Sequence, residues 1–474
     1  MFVQSFFVPG LAHLSYLLGG KSTCAIVDPR RDVDEYLSAA KNMGMGITHI
    51  LETHLHADFV SGHMDLAART GAEIIAPRAG KCSFPHRPVA EGDEFQIEDM
   101  SIRVLDTPGH TPEHITFVVT DQSRGAEPAA IFCGDTLFVG DVGRPDLFPD
   151  QAVELAGKLY QSLGKLKALP DPTLVLPAHG AGSLCGRAMG AMRFSAVGYE
   201  KHYNRELQHK TLDAFRGSLL TGLPEAPDHF SRCSDINRKG PAKVESLEAA
   251  RPLSAQEVYQ WTQKSAVVLD ARDFLAFGGA HIPGGWNIDM AGNYQTFSGW
   301  VIPPDQPIVL VLESDGRLLD ATTMLRRVGL DKVIGWLDGG MPSWNVAGLP
   351  EEHVPQISAQ ELAAVLAKDS KSAVLDVRGK LEFETLHLNG AVNIPAPDLR
   401  KRHAEVPKDR TVYVICNSGH RSSLACSILL QKGFKNITNV VGGMMAFSAA
   451  GLVGTCPICS APHLPAVQGA QGGK

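Results

Sequence analysis

Residues 1 to about 185 alternate short apolar runs with Gly/Pro turns: ITHILETH, AEIIAP, SIRVLDTPGH, ITFVVT, AAIFCGD and TLVLPAHG. Brief apolar runs rich in β-branched residues and bounded by turn signals predict strands. The opening MFVQSFFVPGLAHLSYLLGG alternates in the same way around Pro9 and Gly10, which predicts a strand, a turn and a second strand. From Arg187 to about Leu223 the apolar spacing becomes helical. A stretch rich in Pro, Ser and charge follows, roughly Pro224 to Pro252, and reads as a linker.

The rest of the chain repeats itself. VVLDARDFLAFGGAHIPGGWNI (267–288) aligns with AVLDVRGKLEFETLHLNGAVNI (373–394), pairing Asp270 with Asp376, Arg272 with Arg378, His281 with His387 and Asn287 with Asn393. LDGGMPSW (337–344) then matches VVGGMMAF (440–447). A repeat of roughly 100 residues is too long for a solenoid unit, so it implies two duplicated domains. Each copy alternates strand and helix patterns, the signature of a parallel α/β sheet.

Composition narrows the classes. At 474 residues the chain has room for about three domains at ~150 residues each. With 44% hydrophobic and 20% charged residues it is an ordinary globular composition, and a net charge of -7 gives no basic patch for nucleic acid or an anionic membrane. No apolar run reaches the ~18–20 residues of a membrane span, and the N-terminus lacks the basic flank of a signal peptide. The nine scattered cysteines point to reduced thiols in a cytoplasmic setting, most of them buried like Cys24, Cys133 and Cys426.

Two constellations carry chemistry. In T53-H-L-H-A-D-F-V-S-G-H63, His54, His56 and Asp58 stand at alternate positions just past a strand. His110 in TPGHT, Asp135 in CGDTLF and His179 in LPAHG each end a further apolar strand. One such residue is unremarkable, but several at strand ends converge on one sheet edge and predict a metal site. The second is VYVICNSGHRSS, a strand running into Cys416, a loop of Asn417, Ser418, Gly419 and His420, then Arg421 and Ser422 at a helix start. Such a loop turns backbone N–H groups toward the sulfur at the positive end of the helix, favouring a thiolate or a persulfide. Aligning the repeats places Glu313 of VLESDGRLLD against Cys416 and Leu318 against Arg421, so the first copy lacks the nucleophile.

On these motifs the first part resembles the metallo-β-lactamase fold, in its glyoxalase-II-like branch that includes persulfide dioxygenases. The two repeats resemble rhodanese domains, whose four residues between Cys and Arg distinguish them from the five of cysteine phosphatases. The resemblance implies an α/β multidomain chain: an αββα sandwich over 1–230, a linker over 231–252, a rhodanese-type domain without its cysteine over 253–350, and an active one over 357–453. A flexible tail, 454–474, contains the C-x-x-C pair Cys456 and Cys459.

The resemblance further implies one Fe(II) per chain held by His54, His110 and Asp135. O₂ is then co-substrate, and His56, Asp58 and His179 orient the ligands. A second metal in this fold commonly uses a histidine after the Asp, and here that residue is Phe59. A mononuclear zinc held by His54, His56 and His110 stays open. Arg144 in GDVGRPD is a candidate substrate anchor, or the partner of Asp146 or Asp141. Cys185 is a possible sulfur relay or a structural thiol.

The implied activity is oxidation of a low-molecular-weight thiol persulfide to sulfite, joined to sulfur transfer at Cys416 that gives or uses thiosulfate. The alternative is a zinc thioester hydrolase with an attached sulfurtransferase. Expected partners are the small thiol persulfide, sulfite or thiosulfate and further copies of the chain in a homo-oligomer. Nucleic acid and membrane are not expected.

Overall fold

The computed structural model describes residues 1–223, 225–369 and 372–453. It divides into two compact units, Met1–Leu247 with Thr323–Asp331, and Glu248–Thr322 with the remainder. The tail with Cys456 and Cys459 lies outside the described residues. Among the described residues no helix is long and apolar enough to cross a membrane.

The first unit contains two six-stranded sheets. One runs Phe2–Val8, His13–Gly19, Thr23–Val27, Gly46–Leu51, Glu73–Pro77, Arg87–Val89 in spatial order. The other runs Ser195–Ala196, Leu174–Pro177, Ala130–Gly134, Ile115–Asp121, Met100–Asp106, Glu94–Ile97. Leu14, Tyr16, Leu18, Val27 and Leu51 of the first sheet share a dry core with Ile102, Val104, Phe117, Val119 and Phe132 of the second.

Helices cover the outer faces. Ala152–Lys167 buries Ala156, Leu159, Leu163 and Leu166, spaced three and four apart, against Val118, Ile131 and Val175. Tyr36, Ala40 and Leu66 do the same for the first sheet, over Leu17, Ile26 and Ile50. Helices therefore flank both sheets, the αββα sandwich expected. Central strands are covered on both sides, which is why His13–Gly19 is buried along its whole length.

The second unit holds two five-stranded parallel sheets of the same topology. The first is ordered Arg251–Leu253, Val333–Leu337, Ile308–Val311, Val267–Asp270, Trp286–Asn287. The second is ordered Gln356–Ile357, Ile437–Val440, Val412–Ile415, Ala373–Asp376, Val392–Asn393. Each copy opens on a capping box, Ser254 with Glu257 and Ser358 with Glu361.

The repeated motif residues are scaffold. Arg272 grips Asp270 at 2.6 Å, and Arg378 grips Asp376 at 2.6 Å. Asn287 and Asn393 each donate to two backbone carbonyls of that turn. His281 and His387 stack on Phe277 and Phe383.

Two expectations change. Residues 229–239, inside the stretch read as linker, form the helix His229–Lys239, which buries His229, Phe230, Cys233 and Asn237. Its apolar positions are few, so polar hydrogen bonding rather than a long apolar stripe seats it. The repeat alignment also shifts by one. Asp270 pairs with Val311 as Asp376 pairs with Ile415. Leu312, not Glu313, therefore stands at the Cys416 position, and Arg317, not Leu318, at that of Arg421. The first copy still lacks a thiol, because a leucine occupies its place.

Candidate active sites

In the first unit, strand Gly46–Leu51 delivers His54, and strand Ala130–Gly134 delivers Asp135 at its end. The loop between Met100–Asp106 and Ile115–Asp121 delivers His110. One donor atom from each of these three lies within 4.8 Å of the other two, and all three residues are buried. His110 Nε2 is 3.3 Å and His54 Nε2 3.9 Å from Asp135 Oδ2.

The opposite ring nitrogens are already committed. His110 Nδ1 donates to the Arg144 carbonyl at 2.9 Å. His54 Nδ1 lies 2.9 Å from Thr53 Oγ1, which itself donates to Asp28. Each ring is thus held in the tautomer that leaves an Nε2 lone pair aimed at the carboxylate. Both Nε2 atoms are buried without a hydrogen-bond partner. Burial holds both imidazoles below their ordinary pKa, hence neutral. Two orphaned, unprotonated nitrogens beside a carboxylate are what a divalent metal needs.

His179 has a different task. Its Nδ1 faces Asp135 at 2.7 Å and its Nε2 faces Asp58 at 2.9 Å. Burial works against its charge, but the two carboxylates prevail and raise its pKa well above the usual value. The reverse pull holds Asp135, despite its burial, below the carboxylate range. Asp58, His179 and Cys185 also bring donor atoms within 4.8 Å of one another, a second buried group beside the first. Burial pushes the Cys185 thiol well above the ordinary value.

His56 turns away, its Nε2 lying 3.2 Å from Asp28 in a group with Glu52. Its charged form gains more from Asp28 than burial takes away, which raises its pKa. Phe59 packs against His13 and His56, with ring centroids 4.1 and 4.4 Å away.

Arg144 is engaged by Asp146 through both Nε and Nη2 at 2.7 Å. Its backbone carbonyl serves His110, and the preceding Gly143 lets the segment approach. A Cβ there would run into the Asp135 carbonyl and the His110 ring.

Several residues here were not singled out in the sequence. His114 Nε2 accepts the Asp135 N–H at 2.9 Å, and burial takes its pKa down to about 3. Asp28 accepts from both the N–H and the hydroxyl of Thr53, and Glu113 accepts from Leu55 N–H. Asn237 bridges three backbone groups of the ligand loop. Its Oδ1 accepts from Ser61 N–H, and its Nδ2 donates to the His56 and Phe59 carbonyls, all at 2.8 Å. A cavity of about 300 Å³ is lined by Ala57, between His56 and Asp58, by Thr111, next to His110, and by Leu147, Phe148, Phe230 and Ser234. Only the fold brings 147–151 and the helix 229–239 to that place.

In the second unit, strand Val412–Ile415 delivers Cys416 to the N-terminus of helix His420–Gln431. The Gly419 N–H donates to Cys416 Sγ at 3.1 Å, and the Ser422 hydroxyl lies at 3.4 Å. The loop is pinned from outside, because Met444 and Met445 N–H donate to the Cys416 and Asn417 carbonyls. Gly419 has φ +118, which a side chain rarely adopts. Arg421 meets Glu382 as a fork, at 2.6 and 2.7 Å. The sequence-predicted loop residues Asn417, Ser418 and His420 complete the turn around the sulfur.

Known proteins can now be set beside this geometry. Residues 8–179 match the metallo-beta-lactamase superfamily, and residues 254–347 and 358–450 each match the rhodanese-like domain. A metallo-beta-lactamase crystal structure from Staphylococcus aureus subsp. aureus COL superposes with a TM-score of 0.64 at 32% identity, covering 71% of this chain and 98% of that one. The chain belongs to the metallo-beta-lactamase superfamily.

Within this superfamily, a hydroxyacylglutathione hydrolase of Rhodospirillum rubrum is 42% identical over 35% of this chain and 60% of its own length. One from Methylobacillus flagellatus is 31% identical over 46% of this chain and 83% of its own length. The chain therefore spans only 60% of the first of these hydrolases. It joins a superfamily fold that binds metal ions to two rhodanese-like domains.

Proposed function

We propose that this chain oxidises a low-molecular-weight thiol persulfide with O₂ at a single Fe(II) and carries sulfane sulfur on Cys416. One observation carries the first half. His54, His110 and Asp135 bring two imidazoles and one carboxylate within 4.8 Å of one another, while His179 is hydrogen-bonded to Asp58 and Asp135 and His56 Nε2 lies beside Asp28. Two imidazoles and one carboxylate suit Fe(II) with open positions for O₂ and a sulfur ligand.

The residues around it orient the ligands. Thr53 and the Arg144 carbonyl fix the two ligand rings, and His179 balances the charge of Asp135 and Asp58. Phe59, packed on His13 and His56, and Phe138 are fully buried. Overall, R–S–SH, O₂ and H₂O give R–SH, sulfite and two protons, the sulfane sulfur losing the four electrons that O₂ gains.

At the second site, the Cys416 thiolate takes the outer sulfur of a persulfide. Sulfite attack on the resulting Cys416–S–SH would regenerate the thiol and release thiosulfate. Gly419 N–H and the Ser422 hydroxyl stabilise the sulfur anion in either state. Arg144, held by Asp146, acts in this reading through its carbonyl as much as through its fork. Cys185 stays a protonated structural thiol.

The second reading, a zinc thioester hydrolase, is favoured by the identity to hydroxyacylglutathione hydrolases. O₂ consumption on adding a thiol persulfide to iron-loaded protein, lost in His110→Ala, supports the first reading. Thioester hydrolysis without O₂ uptake supports the second.

A further inference from the structure

The two cations of the cysteine loop are both answered by carboxylates. The Arg421 guanidinium meets Glu382, and His420 Nδ1 lies 2.9 Å from Asp289 Oδ2. Asp289 belongs to the copy that lacks the cysteine, is 6% exposed, and is held in place by the Ala291 N–H at 2.7 Å. The same copy supplies Phe274. Its ring faces His420 edge-on at 5.0 Å and closes on Gly419, where a Cβ would lie 2.9 Å from it. Asn287 of that copy accepts from the Ser423 hydroxyl at 2.5 Å, one turn into the loop's helix. Nearby Arg378 is committed to Asp376 and the Leu386 carbonyl. The loop that holds the sulfur is thus backed by an apolar ring at Gly419, and its two basic side chains, His420 and Arg421, are each paired with a carboxylate.

We propose that Asp289 and Glu382 set the charge preference of the Cys416 site, so that it takes sulfur from an alkyl persulfide in its uncharged, protonated form and discriminates against a dianionic donor such as thiosulfate. This rests on Cys416 being the sulfur carrier. It also gives the copy without a cysteine a role in specificity, through Asp289 and the apolar wall of Phe274.

The transfer needs no external oxidant. The Cys416 thiolate attacks the outer sulfur of R–S–SH, a Cys416 S–S bond forms, and the donor's S–S bond breaks. The thiolate R–S⁻ leaves with the bonding pair. With thiosulfate the same displacement must admit a dianion and expel sulfite beside two carboxylates whose counter-ions are already used. Sulfite attack on the loaded cysteine passes through the same transition state in reverse and meets the same charge penalty.

The test uses the full-length protein and reads, by intact mass, the rate at which Cys416 gains one sulfur from 2-hydroxyethyl persulfide or from thiosulfate. Asp289→Asn and Glu382→Gln each remove one charge at nearly constant shape. Each is expected to raise the thiosulfate-to-persulfide rate ratio roughly ten-fold, the size of one near-surface charge interaction with a dianion. Glu405→Gln, which breaks the surface pair with Arg402, is expected to leave the ratio unchanged. An unchanged ratio in the carboxylate variants, or an equal rise in Glu405→Gln, overturns the proposal. If one carboxylate variant does not fold, the other decides alone. Failure of the underlying reading looks different: neither donor would add sulfur to Cys416 in the unmodified protein.

Discussion

Replacing Asn237 with alanine should loosen the metal-ligand loop without touching any ligand. The side chain is 1% exposed and makes three hydrogen bonds of 2.8 Å, to Ser61 N–H and to the His56 and Phe59 carbonyls. Each contributes ~1 kcal/mol net, and a buried group left unpaired costs ~1–3 kcal/mol. The loss should therefore total about 3 kcal/mol.

For a unit of this size ~1 kcal/mol moves the melting midpoint by ~2–4 °C, so the first unit's transition should fall by roughly 6–12 °C. The loop 56–61 also carries Asp58, which anchors His179 and through it Asp135. Metal affinity should consequently drop by roughly 10–100-fold, the usual cost of disturbing groups that hold the ligands. Calorimetry gives the first number and a competitive chelator titration the second. Sulfur loading of Cys416 serves as an internal control and should not change. A variant with unaltered metal affinity and an unaltered first transition would refute this account of Asn237.

Three further outcomes follow. Cys416→Ser should abolish sulfur loading yet leave O₂ uptake from a supplied small persulfide intact; loss of that uptake would contradict the two-site scheme. His281 is buried and held down to about 4, so below pH ~6.5 the unfolded chain takes up a proton that the folded chain refuses. Stability of the second unit should fall as pH drops from ~6.5 toward 4, by up to about 3 kcal/mol from this residue, and His281→Gln should flatten that slope in urea titrations. Phe59→His offers a further ligand beside Asp58; bound zinc should rise above one per chain after zinc loading, and an unchanged count would show that Phe59 does not limit the site.

The architecture was largely readable from pattern, because strands covered on both faces print as continuous apolar runs and duplicated domains print twice. That His54, His110 and Asp135 converge was legible for a related reason: each follows a strand within a few residues, and a sheet edge gathers strand ends. Asn237 was not. It lies some 180 residues from the loop it holds, on a largely polar helix whose buried face, His229, Phe230, Cys233 and Asn237, is not continuous in sequence with any metal-site motif. The roles of His56 and His179 depend on which carboxylate each ring meets, and Asp28 has no spacing relation to His56.

The misplacement of Glu313 had a local cause. The repeats agree at one offset before the cysteine loop and another after it, and the strand leading into the loop follows neither, so the flanking motifs do not give its register. Only the pairing of Asp270 with Val311 puts Leu312 in the cysteine's place. Asp146 was readable as a partner of Arg144 two residues away, but Glu382, which engages Arg421 from 39 residues upstream, was not.

The most direct test is the identity and count of the metal in protein prepared without air, with O₂ uptake measured on the same sample. The account predicts close to one iron per chain and O₂ consumption that begins on adding a thiol persulfide and yields sulfite or thiosulfate. Two zinc ions per chain, with thioester hydrolysis and no O₂ consumption after iron loading, would contradict it.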